Sequence, residues 1–139
     1  MTVLLDTNII LDIFLHRQPH DKDAVRIIAM SEKGKIHAFV SASAVTDIYF
    51  ITRKELKAKD AAIELLRKLL KTIHVAAVSG TEIREALDLC WNDFEDSVQY
   101  LAGRAILAEY IITRNKDDFA DSTIKALTPS EFLNIIAPA

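Results

Sequence analysis

The chain has 139 residues, 50% of them hydrophobic, and a net charge of -3. This length and apolar content predict one domain, residues 1–139, and three Gly and three Pro leave no room for a flexible linker. The single cysteine, Cys90, excludes an intramolecular disulfide, and no uncharged stretch reaches the roughly 20 residues that a membrane span needs. Because the first residues also lack the pattern of a signal peptide, we expect a cytoplasmic, reduced protein without membrane association.

Charge is unevenly distributed along the chain. Residues 1–71 contain 12 Lys/Arg and 9 Asp/Glu, whereas residues 72–139 contain 5 and 11. An anionic substrate would therefore need the basic half, a metal ion or both. Ordinary scatter of surface charge is an alternative explanation of this asymmetry.

Short apolar segments alternate with segments of helical period. The first segment, TVLLD, predicts a strand, and similar strands are predicted at 36–41, 72–78, 108–113 and 124–127. Between them, one helix is predicted over 20–35, where Gly34 stops it, and another over 60–71. Two capping-box sequences, SGTE and TPSE, predict that further helices begin near residues 80 and 129.

Strands that alternate with helices in one domain indicate an α/β fold with a mostly parallel sheet covered on both faces. Ligands of such sheets bind at the carboxyl ends of the strands. The segment LLDTNIILD places Asp6 at the end of the first strand. A carboxylate buried there needs a positive or hydrogen-bonding partner to stay ionised.

Polar residues that could share a site with Asp6 follow the other predicted strands. They are Asp47 in SASAVTDIYF, Asp93 and Asp96 in WNDFEDSVQYLAGRA, and Asn115, Asp117 and Asp118 in IITRNKDDF. Oxygen ligands without a Cys/His pattern predict Mg²⁺ or Mn²⁺ rather than zinc. A bound divalent cation is the partner that could keep Asp6 charged.

Each acid also has a structural interpretation. Asp6 and Asp93 could each cap the helix that follows, and Glu95 could be a first-turn acid favoured by the helix dipole. Asp12 could face solvent or pair with a basic neighbour. Asp47 is the hardest to explain in this way, because a mid-helix Asp has poor helix propensity and no local role.

Four segments resemble, in order and spacing, the four motifs of PIN domains, specifically the small VapC-type toxin ribonucleases of bacteria. They are LLDTNIILD, the SxSxVTD segment, DFEDSVQYLAGRA and ITRNKDDF. The resemblance covers nearly the whole chain. It implies a three-layer α/β/α sandwich with a mostly parallel sheet of about five strands. It also implies metal-dependent hydrolysis of RNA phosphodiester bonds, as the toxin of a type II toxin–antitoxin system.

The resemblance also assigns roles to residues. Asp6 corresponds to the first metal ligand and Asp96 to the third acid, with Asp93 as an additional acid, and these three would hold Mg²⁺ or Mn²⁺. Thr7 and Asn8 would support the site and contact substrate.

Two positions depart from the family pattern. Asp47 stands where the family usually has Glu, and its side chain, one methylene shorter, would reach a metal through water. In the fourth motif, Asn115 places a neutral amide where a carboxylate is usual, and Asp118 would substitute for it. The implied role of Asp47, Asn115 and Asp118 is to complete the catalytic site near the leaving oxygen.

The resemblance further implies an RNA substrate, a homodimer and a small antitoxin that covers the acidic pocket with a basic side chain. A basic run after the Asp47 helix, Arg53, Lys54, Lys57 and Lys59, could bind the RNA backbone. A solvated turn between two helices is the alternative for this run.

Three other functions remain open at this point. The departures at Asp47 and Asn115 favour a catalytically weakened PIN-like module that binds RNA or a protein partner. A phosphoryl-transfer enzyme could also open with an acid at the first strand end, but Asn8 stands where that class generally has its second acid. A DNA nuclease is the third, because acids in a pocket do not distinguish sugars.

Overall fold

The computed structural model describes residues 1–137, which form one parallel sheet with helices on both faces. The five strands are β1 (Thr2–Leu5), β2 (His37–Ser41), β3 (His74–Ala76), β4 (Tyr110–Ile112) and β5 (Lys125–Leu127). The helices are α1 (Thr7–Phe14), α2 (His20–Glu32), α3 (Ala42–Leu56), α4 (Lys59–Leu69), α5 (Gly80–Leu89), α6 (Phe94–Ala105) and α7 (Pro129–Ile136), with a 3-10 helix at Lys116–Phe119. The predicted α/β class and the parallel sheet of about five strands are confirmed.

The strand order β3-β2-β1-β4-β5 places β1 at the centre of the sheet. Leu4 is in register with Phe39 of β2 on one side and with Ile111 of β4 on the other. The ladder continues past β1, where the backbone N–H of Asp6 donates to the carbonyl of Ile112 at 2.9 Å. Asp6 therefore lies in the middle of the carboxyl edge of the sheet, where ligands of parallel sheets bind.

The two faces of β1 belong to different halves of the core, which makes a three-layer sandwich. Val3 and Leu5 are fully buried in a cluster that includes residues of α1, α2, α3, α4 and α7. Leu4, which points to the opposite face, is fully buried in a second cluster with residues of α5 and α6. Burial on both faces explains why this strand reads as a continuous apolar run rather than an alternating one.

Local sequence signals set several helix ends. Both predicted capping boxes are present, with Ser79 and Glu82 at the start of α5 and Thr128 and Glu131 at the start of α7. Gly34 adopts a φ of 74° just after α2, in the left-handed region that glycine enters without strain. Within residues 1–137, none of the helices is long and apolar enough to cross a membrane.

Candidate active site

Asp6 is buried and held by two hydrogen bonds from distant segments. The hydroxyl of Thr113, just after β4, donates to Oδ2 of Asp6 at 2.8 Å, and Nε2 of Gln99 in α6 donates to Oδ1 at 3.2 Å. Although Asp6 occupies the residue before α1, its side chain makes no cap hydrogen bond to that helix. The interpretation of Asp6 as a helix cap is therefore wrong, and its carboxylate is fixed by partners from β4 and α6.

A cavity of about 210 Å³ opens beside Asp6 at the carboxyl edge of the sheet. Its lining consists of Asp6, Thr7, Asn8, Leu11, Asp47, Ile51, Asp93, Glu95, Asp96, Gln99 and Asp118. Six of these residues are acids and none is basic. The fold thus brings together carboxylates from the end of β1, from α3, from the start of α6 and from the 3-10 helix.

The start of α6 supplies three of the six acids. Asp93 is the N-cap of this helix, because its Oδ1 accepts the backbone N–H of Asp96 at 3.0 Å, as one of the structural interpretations predicted. The cap uses one oxygen of Asp93, and the residue still lines the cavity. Asp96 lies in the first turn and Gln99 three residues later, so both face the same side of the helix.

The crowded carboxylates of the cavity are poorly stabilised as anions. Burial raises the pKa of Asp6 above its usual value, against the opposing effect of its hydrogen bonds from Thr113 and Gln99. Burial also raises the pKa of Asp96 to about 7, and repulsion from Asp93 and Asp6 adds to the effect. A cation in the cavity would favour the ionised form of each carboxylate.

Glu95 belongs to the cavity, although its sequence position suggested only a first-turn acid. Its Oε1 accepts a hydrogen bond from the hydroxyl of Thr7 at 3.4 Å. Burial and the nearby carboxylate of Asp47 raise the pKa of Glu95 to about 8. No local sequence signal identifies this placement, because the hydrogen bond from Thr7 joins residues that are 88 positions apart.

The fourth motif is divided between residues inside and outside the cavity. Asp118 lines it, and also lines an adjoining hollow of about 120 Å³ together with Asp117. Asn115, by contrast, is exposed and does not line the cavity, and its backbone N–H donates to the hydroxyl of Thr113 at 3.0 Å.

The cavity lining includes none of the basic run, Arg53, Lys54, Lys57 and Lys59. Arg53 and Lys54 are exposed in the last turn of α3, and Lys57 is the exposed residue that ends this helix in a left-handed conformation. Of the predicted substrate-binding residues, only Thr7 and Asn8 line the cavity.

The donor chemistry of the cavity fits a divalent cation. Within residues 1–137, no three His, Cys, Asp or Glu side chains are already placed so that they could hold one ion together. The available donors are nevertheless carboxylate oxygens, which Mg²⁺ and Mn²⁺ prefer. Binding would therefore require these side chains to rotate toward a common point, and it would relieve their repulsion.

The sequence matches relatives over most of its length. The family model described as PIN domain matches residues 2–117. The chain is also 26% identical over 135 residues to Ribonuclease VapC1 of Aquifex aeolicus (strain VF5), a match that covers 94% of this chain and 92% of that protein.

Three solved structures have the same fold. The chain superposes on VapBC2 from Rickettsia felis bound to a promoter DNA fragment with a TM-score of 0.68 and 16% identity, over 92% of this chain and 98% of that one. The match to VapC20 from Mycobacterium tuberculosis, described as a sarcin-ricin loop cleaving toxin, has a TM-score of 0.70 and 13% identity, and it covers 86% of this chain and 94% of that one. The match to a toxin–antitoxin complex from Klebsiella pneumoniae has a TM-score of 0.66 and 22% identity, and it covers 91% of this chain and 97% of that one. Together with the family match, these findings confirm the predicted resemblance: the chain belongs to the PIN domain family.

Proposed function

We propose that this protein is a metal-dependent endoribonuclease and the toxin of a type II, VapBC-like toxin–antitoxin system. The observation that carries the proposal is the cavity with six acids at the carboxyl end of the central strand. The similarity to Ribonuclease VapC1 supports ribonuclease activity, and the likeness to VapBC2 and to a second toxin–antitoxin complex supports the toxin role.

In this proposal Asp6, Asp96 and Asp93 hold Mg²⁺ or Mn²⁺. When bound, the cation lowers the pKa of water and neutralises charge on the phosphodiester. The chain itself positions the ligands: Thr113 and Gln99 fix the carboxylate of Asp6, and the cap made by Asp93 fixes the first turn of α6. Hydrolysis that leaves a 5′-phosphate and a 3′-hydroxyl is the expected reaction.

The remaining acids of the cavity would complete the catalytic site. Asp47, Glu95 and Asp118 come from three different helices and all line the cavity. We propose that these three acids position a second cation or ordered water near the leaving oxygen. Asn115 would act only indirectly, through its hydrogen bond to Thr113, because it does not line the cavity.

The substrate in this proposal is RNA, and its backbone would lie along the exposed basic residues Arg53, Lys54 and Lys57. Thr7 and Asn8, which line the cavity, would contact the nucleotide at the cleavage site. We also propose that the protein acts in the cytoplasm as a single domain, residues 1–139.

Two protein partners belong to the same proposal. A cavity lined by six acids and no bases is complementary to a basic side chain, which an antitoxin would insert there. A homodimer would cover exposed apolar side chains such as Phe50 of α3 and Leu87 of α5, which are 59% and 60% exposed.

Cleavage of defined nucleic acids tests the proposed activity. The protein, purified free of antitoxin, is incubated with a structured RNA and a matched single-stranded DNA in Mg²⁺, Mn²⁺ or EDTA, and the product ends are analysed. We expect cleavage of RNA only, in either metal but not in EDTA, with 5′-phosphate ends. Equal cleavage of DNA would identify a general nuclease instead.

A second candidate function is a PIN-like module that binds RNA or a protein partner without cutting. It is favoured by the cavity carboxylates, no three of which are already placed to hold one ion in residues 1–137, and by the position of Asn115 outside the cavity. Binding of RNA without cleavage in either metal by the folded protein would support this alternative.

A further inference from the structure

We propose that Gln99 is a positioning residue of the metal site that acts through both ends of its side-chain amide. In this proposal the NH₂ group holds the carboxylate of Asp6, and the amide oxygen accepts a hydrogen bond from the hydrated cation. The inference rests on the proposed function, because it presupposes that a divalent cation binds in the cavity.

The side chain of Gln99 is buried, and only one end of its amide has a partner. The residue is 1% exposed, and its Nε2 donates to Oδ1 of Asp6 at 3.2 Å. Its Oε1 is buried without a hydrogen-bond donor among residues 1–137. A buried polar atom without a partner is uncommon in native proteins and destabilises the fold unless something binds to it.

The orientation of this amide follows from its neighbour. An ionised carboxylate can only accept hydrogen bonds, so the NH₂ group has to face Asp6 and the oxygen has to face away from it. Asp6 also accepts a hydrogen bond from the hydroxyl of Thr113. The hydrogen bond to Asp6 uses only the NH₂ group of Gln99, so the amide oxygen remains to be explained.

The surroundings of Gln99 define the donor that its oxygen could meet. Gln99 lines the cavity together with Asp96, three residues earlier on α6, and Glu95, four residues earlier. No Lys, Arg or His lines this cavity. Mg²⁺ keeps several of its water molecules when it binds to proteins, and these waters are strong hydrogen-bond donors. A hydrated cation between the carboxylates therefore fits the free amide oxygen.

Mn²⁺ binding by variants distinguishes the contribution of the NH₂ group of Gln99 from that of its amide oxygen. The dissociation constant for Mn²⁺ is measured by titration calorimetry and by the paramagnetic resonance signal of free Mn²⁺, for wild type, Gln99→Met, Gln99→Glu and Thr113→Val. Gln99→Met keeps the length of the side chain but removes both donor and acceptor. Gln99→Glu keeps an acceptor, and Thr113→Val removes only the other hydrogen bond to Asp6. Far-ultraviolet circular dichroism without metal verifies that each variant is folded.

We expect Gln99→Met to weaken Mn²⁺ binding by about 10-fold or more, as is usual when a residue that orients metal ligands is removed. Gln99→Glu keeps an acceptor but loses the donor to Asp6, so we expect it to bind Mn²⁺ more tightly than Gln99→Met does, and Thr113→Val to lose less affinity than Gln99→Met. Equal affinities of wild type and Gln99→Met would overturn the inference. Equal affinities of Gln99→Glu and Gln99→Met would also overturn it, and Gln99→Leu replaces Gln99→Met in both comparisons if Gln99→Met fails to fold. Absence of Mn²⁺ binding by the wild type would instead refute the metal dependence of the proposed function.

Discussion

Asp12 and Arg114, 102 residues apart in sequence, form an ion pair between a buried carboxylate and a partly exposed guanidinium, which joins α1 to the segment after β4. Nε and Nη2 of Arg114 donate to the two carboxylate oxygens of Asp12 at 2.8 and 3.0 Å, and Asp12 is completely buried. This pair fixes the relative position of the segments that carry Asp6 and Thr113. Of the two expectations for Asp12, solvent exposure is therefore wrong, and pairing with a basic residue is confirmed.

Arg114→Met should destabilise the protein strongly. The substitution leaves the carboxylate of Asp12 buried beside only Arg17, whose Nη1 is 3.8 Å away, so we expect a loss of about 3 kcal/mol in the free energy of unfolding. Urea denaturation measures the loss. Arg26→Ala is the matched control, because Arg26 is an exposed residue of α2 whose ion pair with Asp23 contributes little. A loss no larger than that of the control would contradict the structural role of the pair.

The raised pKa values of the cavity acids predict an unusual dependence of stability on pH. The pKa of Glu95 rises from 4.5 to about 8 in the folded protein and that of Asp96 from 3.8 to about 7. Between the unfolded and folded pKa of each acid, the folded protein binds more protons than the unfolded chain, so its stability falls as pH rises through this range. The lowered pKa values of Glu82 and Glu131 act in the opposite direction, mainly below about pH 4.5.

Thermal unfolding without metal, measured between about pH 5 and pH 8, checks this dependence. We expect the midpoint of wild type to fall with pH, and Glu95→Gln to show a smaller fall because it removes one of the acids with a raised pKa. Glu64→Gln, an exposed substitution on α4, should behave like wild type. We also expect Mn²⁺ to raise the midpoint more at pH 8 than at pH 5. A midpoint that rises with pH in the metal-free wild type would contradict the proposed crowding of carboxylates.

The two roles of Asp93 can be separated by two substitutions. Asp93→Ala removes both the helix cap and the carboxylate, whereas Asp93→Ser keeps a side-chain oxygen that can cap α6. We expect Asp93→Ala to lower the free energy of unfolding by about 1 kcal/mol and Asp93→Ser to restore most of it. RNA cleavage should remain low in both variants. Full activity of Asp93→Ser would show that Asp93 acts only as a cap.

Asp118 should affect cleavage more than its neighbour Asp117. Both acids belong to the 3-10 helix and line the adjoining hollow, but only Asp118 also lines the cavity. We therefore expect Asp118→Asn to reduce the rate of RNA cleavage several-fold more than Asp117→Asn, as measured by gel analysis of initial rates. Similar rates for the two variants would argue against a role of Asp118 in place of the usual fourth acid.

Much of the fold could be predicted from sequence because its signals are local. The capping boxes at Ser79 and Thr128 specify where α5 and α7 begin, and the apolar run before Asp6 specifies the central strand. The position of Asp6 at the carboxyl edge then follows from the parallel sheet. These features can be predicted without knowing which distant segments pack together.

The details of the candidate site depend on contacts across the fold, which sequence patterns do not specify. Gln99 appears within a largely apolar stretch, SVQYLAG, and only the packing of α6 against β1 reveals that it reaches Asp6. Glu95 has the sequence of an ordinary first-turn acid, yet its hydrogen bond to Thr7 spans 88 residues. Asn115 matches a family motif by spacing, whereas the backbone after β4 keeps it outside the cavity.

The rate of RNA cleavage by Asp6→Asn, compared with wild type, tests the central claim most directly. Both proteins, verified by intact mass to be free of antitoxin, are assayed on the same structured RNA in Mn²⁺, with Glu64→Gln as a matched surface control. We expect wild type and Glu64→Gln to cut the RNA and Asp6→Asn to be at least about 100-fold slower while still folded, because Asp6 is the central carboxylate of the cavity. Cleavage by Asp6→Asn at the wild-type rate, or no cleavage by a folded wild type that binds Mn²⁺, would contradict it.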